Sequence, residues 1–280
     1  MTSSTTNRKL MAVLAHPDDE SFGMGGTLAK YASEGVEVYL LTATRGEGGR
    51  FRGRRQDDPE HPGRLALAAL REQELRAAAA VLGLRGVTLL DYGDQQLDRA
   101  DPREAVGKIA AELRRIRPDV VLTFGPEGAY GHPDHIAISQ FTTAAVVAAA
   151  NFAFPCNGTG VTLPTHVVSK LYYLAWPQST WTAYETAIQK LTSTVDGVER
   201  HTTPWPDWAL TTVIDTRACW TTVWRAVSCH ESQLAAYERL AALPPAQHEA
   251  IWGRQSFYRA FSSVNGGRTR ESDLFEGIDQ

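Results

Sequence analysis

Between Leu10 and Glu20 the chain passes from an apolar run, Leu-Met-Ala-Val-Leu-Ala, straight into His-Pro-Asp-Asp-Glu. The run has the length and composition of a buried strand. Pro17 bars a central strand from continuing and biases His16 toward an extended backbone. An imidazole and three carboxylates, Asp18, Asp19 and Glu20, then crowd the strand's end. In an open α/β sheet that end is where ligands bind. So much negative charge calls for a positive group among it, and a divalent metal ion is the simplest.

Downstream, helices and strands alternate. Helices are expected over Ser21–Ser33, closed by Gly35, over Arg64–Leu82, closed by Gly83, and over Asp101–Ile116, with Asp101 as N-cap and Pro102 behind it. Strands are expected at Val36–Leu41, Val87–Leu90 and Asp119–Phe124. A further helix begins at Pro133 or Asp134 and runs to Ala150. The alternation predicts an α/β fold: a Rossmann-like, doubly wound, mostly parallel sheet flanked by helices. With strands ordered 3-2-1-4, the switch point falls between strands one and four. His16-Pro-Asp-Asp-Glu20 ends strand one, and His132-Pro-Asp-His135 follows strand four. Two polar clusters remote in sequence are therefore expected to share one crevice.

Beyond residue 150 the pattern is weaker. A loop is expected over 151–165, strands over Val167–Leu174 and Ala209–Ile214, and helices over Arg217–Leu240 and Pro245–Phe261. No repeat or linker divides the chain, so residues 1–280 read as one domain, with 1–150 the Rossmann-like core and 151–280 completing it. The polar segment Thr42–Gly63 carries Arg45, Arg50, Arg52, Arg54 and Arg55. A loop of that length is functional or solvated: its arginines suit an anionic group or a lid, while Asp57, Asp58 and Glu60 offset their charge. Gly23-Met-Gly-Gly26 lies too far past strand one for a dinucleotide loop, and strand two ends without an acidic residue for a ribose. Close packing of the first helix is the better reading. Of Trp176, Trp181, Trp205 and Trp208, most are expected in the core and one at the cleft.

A formal net charge of −4 argues against nucleic-acid binding. No apolar run approaches the ~20 residues of a membrane span, and Met1–Arg8 is too polar for a secretory signal. Cys156, Cys219 and Cys229 include no C-x-x-C pair, which disfavours a thiolate zinc site and fits a cytoplasmic chain.

A catalytic zinc takes three His, Asp or Glu ligands and leaves one position for water, whose pKa falls toward ~7. His16, Asp18, Asp19, His132, Asp134 and His135 offer more than enough, and spacing alone does not choose among them. Manganese or iron(II) suits the same donors. A spare carboxylate would serve as general base and a spare histidine as acid or oxyanion stabiliser.

Ala15-His-Pro-Asp-Asp-Glu20 together with Gly131-His-Pro-Asp-His135 resembles the zinc-dependent N-deacetylases of the N-acetylglucosaminyl-phosphatidylinositol de-N-acetylase, LmbE-like type, over residues 8–145. That family includes mycothiol- and bacillithiol-pathway and antibiotic-tailoring deacetylases. The resemblance implies His16, Asp19 and His135 as Zn2+ ligands and Asp18 as base. It implies His132 as oxyanion stabiliser or acid, Asp134 as tuner of the histidines, and Tyr130 as a group polarising the carbonyl. Arg71 and Asp94 would contact a sugar, and His230 falls in a family segment near the site. The expected activity is removal of an acetyl or short acyl group from an N-acetylglucosaminyl-type glycoconjugate. Amidase action on a sugar-thiol conjugate, natural-product tailoring and a non-catalytic sugar-binding role are the alternatives. The expected partner is a small amino sugar, with homo-oligomerisation left open.

Overall fold

The computed structural model describes residues 8–155, 163–188, 193–195, 197–200, 204–236, 238–267 and 269–278. Cys156 and the polar first seven residues lie outside them. The first half runs β1 (Lys9–Leu14), α1 (Asp19–Ser33), β2 (Glu37–Thr44), α2 (Arg64–Leu82), β3 (Gly86–Tyr92), α3 (Pro102–Ile116), β4 (Val120–Phe124), α4 (Gly128–Gly131) and α5 (Pro133–Ala150). The second half runs β5 (Lys170–Leu174), α6 (Gln178–Ile188), β6 (Ser193–Val195), β7 (Val198–Arg200), β8 (Thr212–Asp215), α7 (Trp220–Ser228), α8 (Glu238–Ala241), α9 (Pro245–Trp252) and β9 (Arg254–Ser262).

Seven strands form one sheet in the order β3-β2-β1-β4-β5-β9-β8. The pairs from β3 through β5 are parallel, and β9 runs antiparallel to both β5 and β8. Leu10 to Leu14 are all but inaccessible, as a parallel strand covered on both faces requires. Helices α1 and α2 pack with α7, and α3 packs with α5. A β-carbon on Gly26 would come within 2.8 Å of Thr216 Cβ, so the glycines of α1 do serve close packing. Because β1 pairs with β2 on one side and β4 on the other, the chain reverses direction between β1 and β4. Among the described residues no helix is long and apolar enough to cross a membrane.

The second half departs from expectation in three places. The span Pro245–Phe261 is not one helix: Gly253 ends α9, and Ser256, Phe257 and Tyr258 enter a strand that suits aromatic side chains. The span Arg217–Leu240 breaks after Ser228 into turns and short helical pieces. Helix α6, within the tryptophan-rich stretch, carries Trp181 and Tyr184 inward; no element is expected there from sequence, where three threonines and a serine weaken the helical signal.

Glu271 ties this half to the sheet. Its Oε1 accepts from Lys170 Nζ of β5, Arg259 Nη1 of β9 and Asn265 Nδ2, each at 2.7 Å. Its Oε2 accepts from Tyr172 of β5 at 2.7 Å and Thr212 of β8 at 2.8 Å. Burial opposes the charge, but these donors, Lys170 foremost, hold the carboxyl down at about 2. Glu271→Ala strands the buried Lys170 ammonium and is expected to cost ~3–5 kcal/mol, read by urea unfolding at pH 7. The contribution of Glu271 is complete above its unfolded pKa near 4.5 and is lost as pH falls through about 2. The gap between wild type and variant should therefore narrow in acid.

Candidate active site

The C-terminal ends of β1, β3 and β4 and the start of α5 surround a cavity of about 250 Å³. That is near the lower end for small-molecule pockets, ~300 Å³. Backbone strain gathers at it. Among the described residues five non-glycines have positive φ, and three line the cavity: Asp18 (φ 100°), Gln95 (φ 66°) and Ala129 (φ 59°). Asp18 and Gln95 sit in the turns after β1 and β3, and Ala129 at a kink inside the short α4 that follows β4. Such backbone costs ~1–3 kcal/mol per residue and persists only where neighbours over-determine it.

His16 is engaged through both ring nitrogens. Nε2 lies 3.1 Å from Asp94 Oδ1 and from Asp134 Oδ2. Backbone donors anchor those carboxylates. Asp134 accepts the N–H groups of Gln95 at 2.7 Å and Leu97 at 3.1 Å, and Asp94 accepts that of Gly48 at 2.8 Å. Two acceptors at Nε2 hold a proton there, so a neutral His16 turns its Nδ1 lone pair the other way. Nδ1 faces His135 Nε2 at 3.2 Å. Asp19 closes a triangle, with Oδ1 3.3 Å from His135 Nε2 and Oδ2 3.6 Å from His16 Nδ1.

Atoms bound ~2.0–2.1 Å from a tetrahedral ion lie roughly 3.3 Å apart; His135 Nε2 has that spacing to both His16 Nδ1 and Asp19 Oδ1, while Asp19 Oδ2 accepts the His16 backbone N–H at 2.8 Å. The electrostatics of the triangle agree. Burial opposes charge on His16, yet Asp94, Asp134 and Asp19 raise its pKa well above the ordinary histidine value. Burial likewise opposes charge on Asp19, but His135 and His16 hold its carboxyl well below the usual range. The pocket draws positive charge to this point. Two further groups have ligand atoms within 4.8 Å of one another: His16, His132 and His135, and His16, Asp94 and Asp134. The latter meets on the Nε2 side of His16, where backbone N–H groups already occupy the carboxylates.

His132 caps α5, its Nδ1 accepting the Asp134 N–H at 3.2 Å. That bond leaves the ring proton on Nε2. Burial, with His16 and His135 beside it, pushes His132 down to about 3, so it is neutral near pH 7. His135 stacks on Phe124 with centroids 4.0 Å apart. Tyr130 stands edge-on to His135 at 5.1 Å and to His132 at 5.9 Å.

Asp18 precedes α1 but makes no side-chain capping bond. Its Oδ2 accepts from Arg71 Nη2 at 3.0 Å, while burial pushes the carboxyl up to about 6 against that pull. Arg71 is itself buried and donates to the carbonyls of Gly46, at 2.7 Å, and Pro17. Of the nine site residues expected from sequence, eight line the cavity, and Asp134 is buried behind His16. His230 is buried against Glu20 and does not line it.

Sequence reasoning did not single out Gln95, Gln233, Phe22 or Tyr184, which also line the cavity. Only Gln233, close to His230 in sequence, carried a signal. Of the four tryptophans considered, Trp176 is the one on the cavity wall, and Trp208 is 87% exposed. The loop arginines are absent from the wall, to which that loop contributes Gly49. Arg45 instead pairs with Glu72 and Asp91.

Fold and cluster define an α/β protein with a buried His/Asp centre, able to hold a metal ion, at its sheet's switch point. The chain belongs to the PIG-L family, GlcNAc-PI de-N-acetylase, whose sequence profile matches residues 11–146. The 1D-myo-inositol 2-acetamido-2-deoxy-alpha-D-glucopyranoside deacetylase of Rhodococcus jostii (strain RHA1) is 35% identical over 297 residues, spanning 98% of this chain and 99% of the relative. Among solved structures, N,N'-diacetylchitobiose deacetylase from Pyrococcus horikoshii has a TM-score of 0.65 at 22% identity, covering 91% of this chain and 84% of that one. The 4-carboxy-2-hydroxymuconate hydratase of Pseudomonas putida KT2440 also has a TM-score of 0.65, at 20% identity, covering 93% and 99%. These two share the fold, and a fold alone does not decide between deacetylase and hydratase.

Gly46 has φ 64°, and a β-carbon there would lie 2.1 Å from Arg71 Nη1. Gly46→Ala is expected to destabilise the protein by at least ~1 kcal/mol in thermal or urea unfolding. It should also displace Arg71 from Asp18, visible crystallographically.

Proposed function

We propose that the chain is a zinc-dependent N-deacetylase that releases acetate from the 2-acetamido group of a small N-acetylglucosaminyl glycoconjugate, of the type its relatives are named for. The observation that carries this reading is the triangle of His16 Nδ1, His135 Nε2 and the Asp19 carboxylate, on the wall that also holds Asp18 and His132. Three His/Asp ligands with a fourth position open are the pattern of catalytic zinc, and iron(II) or manganese suits the same donors. When bound, the ion supplies a Lewis acid and lowers the pKa of a water molecule toward ~7.

The chain's residues supply the rest. Asp18, aimed by Arg71, accepts the proton of the attacking water and returns it to the amine nitrogen as the C–N bond breaks. His132 donates from Nε2 to the carbonyl oxygen as that oxygen gains negative charge. Tyr130, packed against the same histidines, polarises the same carbonyl. Asp134 and Asp94 keep His16 in the tautomer that leaves Nδ1 for the ion. Arg71 and Asp94, expected from sequence to contact a sugar, are already engaged within the site, so positioning is their primary role here. Gln95 and Gln233 offer polar groups, and Trp176 an aromatic face, to a sugar.

Removal of metal by a chelator should abolish acetate release from 2-acetamido-2-deoxy-glucosides, and zinc should restore it. Asp18→Asn should lower kcat by ~10²–10⁴-fold with one metal retained per chain. His16→Ala, Asp19→Ala and His135→Ala should each lose metal, measured by elemental mass spectrometry. A zinc-replete protein that binds these glucosides and releases no acetate would refute the proposal.

A further inference from the structure

Glu20 and His230 lie buried beside the site, and no step above uses them. Glu20 is 0% exposed and His230 1%. His230 Nε2 meets Glu20 Oε1 at 2.8 Å across 210 residues of sequence. The other oxygen, Glu20 Oε2, accepts the backbone N–H of Asp18 at 3.0 Å. Ser21 Oγ donates to Oε1 at 2.6 Å, so both carboxylate oxygens are engaged. Asp18, with its φ of 100°, is therefore held twice: Arg71 grips its carboxylate and Glu20 its peptide N–H.

Helix capping does not account for this pair. In a capping box the glutamate that reaches back sits third in the helix and the N-cap side chain bonds to its N–H in return; Glu20 is second, and the Asp18 side chain makes no capping bond. Here the carboxylate is buried, and a histidine is brought to it from the segment after α7. A buried charge pair is weak evidence for stability, because desolvation offsets its attraction. What it does supply is a fixed position for one peptide unit. The segment bearing His230 is pinned in turn, with the Ser232 N–H and Oγ each donating to Glu74 at 2.7 Å.

We propose that Glu20 and His230 are positioning residues that lock the Asp18 peptide in its left-handed conformation, so that the Asp18 carboxylate faces the attacking water; neither touches substrate. The inference rests on reading Asp18 as the base.

The test compares Glu20→Ala, Glu20→Gln and His230→Ala in the metal-loaded protein by steady-state acetate release, metal content and crystal structure at residue 18. Both alanine variants are expected to keep one metal per chain and a KM within ~twofold of wild type, while kcat falls ~10–100-fold. Residue 18 should leave positive φ in Glu20→Ala. Glu20→Gln, whose amide oxygen still accepts the Asp18 N–H, should keep positive φ and recover most of the rate. Unchanged kcat in the alanine variants overturns the proposal, as does a loss that tracks metal content or Tm. Should an alanine variant not fold, His230→Gln, which keeps a donor for Glu20 but displaces it, reads the same split: lower kcat at unchanged KM and metal supports positioning, and unchanged kcat refutes it. A wild-type protein that releases no acetate would sink the deacetylase reading alone, and the φ of residue 18 in Glu20→Ala would still decide the positioning claim.

Discussion

One imidazole made to face two ways organises this molecule. Asp94 and Asp134 take Nε2 of His16, and Nδ1 is left toward His135 and Asp19. A histidine with both nitrogens free would rotate, and its lone pair would have no fixed direction. The carboxylates that prevent this are fixed by backbone N–H groups of Gly48, Gln95 and Leu97, from loops that the sheet itself positions. Orientation passes from peptide units to carboxylates to imidazole. The same carboxylates load the pocket with negative charge, which is why His16 is drawn toward its protonated form and why a cation is favoured beside Nδ1.

The parallel sheet makes this convergence cheap in chain length. Strands β1, β3 and β4 end on the same side, so each following turn contributes at one place: Asp18 after β1, Gln95 after β3, Ala129 and Tyr130 after β4. Positive φ in three of these turns aims backbone and side chain inward where ordinary turns would run past. Arg71, from α2, links two of the loops by donating to the Pro17 and Gly46 carbonyls while it grips Asp18. Scaffold and reactive groups are thus coupled through single hydrogen bonds.

The first half of the molecule was legible because its signals are local. An apolar run cut off by His-Pro-Asp-Asp, helix stops at Gly35 and Gly83, and the Asp101-Pro102 start each report on their own neighbourhood, and the alternation of elements dictates the topology. Strand β9 was not legible, because Arg254–Ser262 mixes polar and aromatic residues without clean alternation, and its pairing with β5 and β8 is a tertiary fact. The pairing of Glu20 with His230 was hidden for the same reason: the segment around His230 pointed to the site, but nothing near either residue pointed to the other. Gln95 shows a different limit. Gly93 and Asp94 announce a turn, but the positive φ falls on Gln95 and not on the glycine, which residue type alone does not show.

The Glu271 junction has a bearing on how the protein is made. Lys170 sits in the middle of the sheet's second half with its ammonium inaccessible to water, and its carboxylate partner comes a hundred residues later. Chains emerge from the ribosome N-terminus first. During synthesis β4 can recruit β5 by parallel pairing, but the cation at its head then lacks this anion until the chain has been extended by a further hundred residues to Glu271. A buried cation without its anion is costly, which favours a hydrated Lys170 and an open β5 side while the half bearing His16, Asp19 and His135 can already close. Completion of this junction is in this way deferred until Glu271 has been translated.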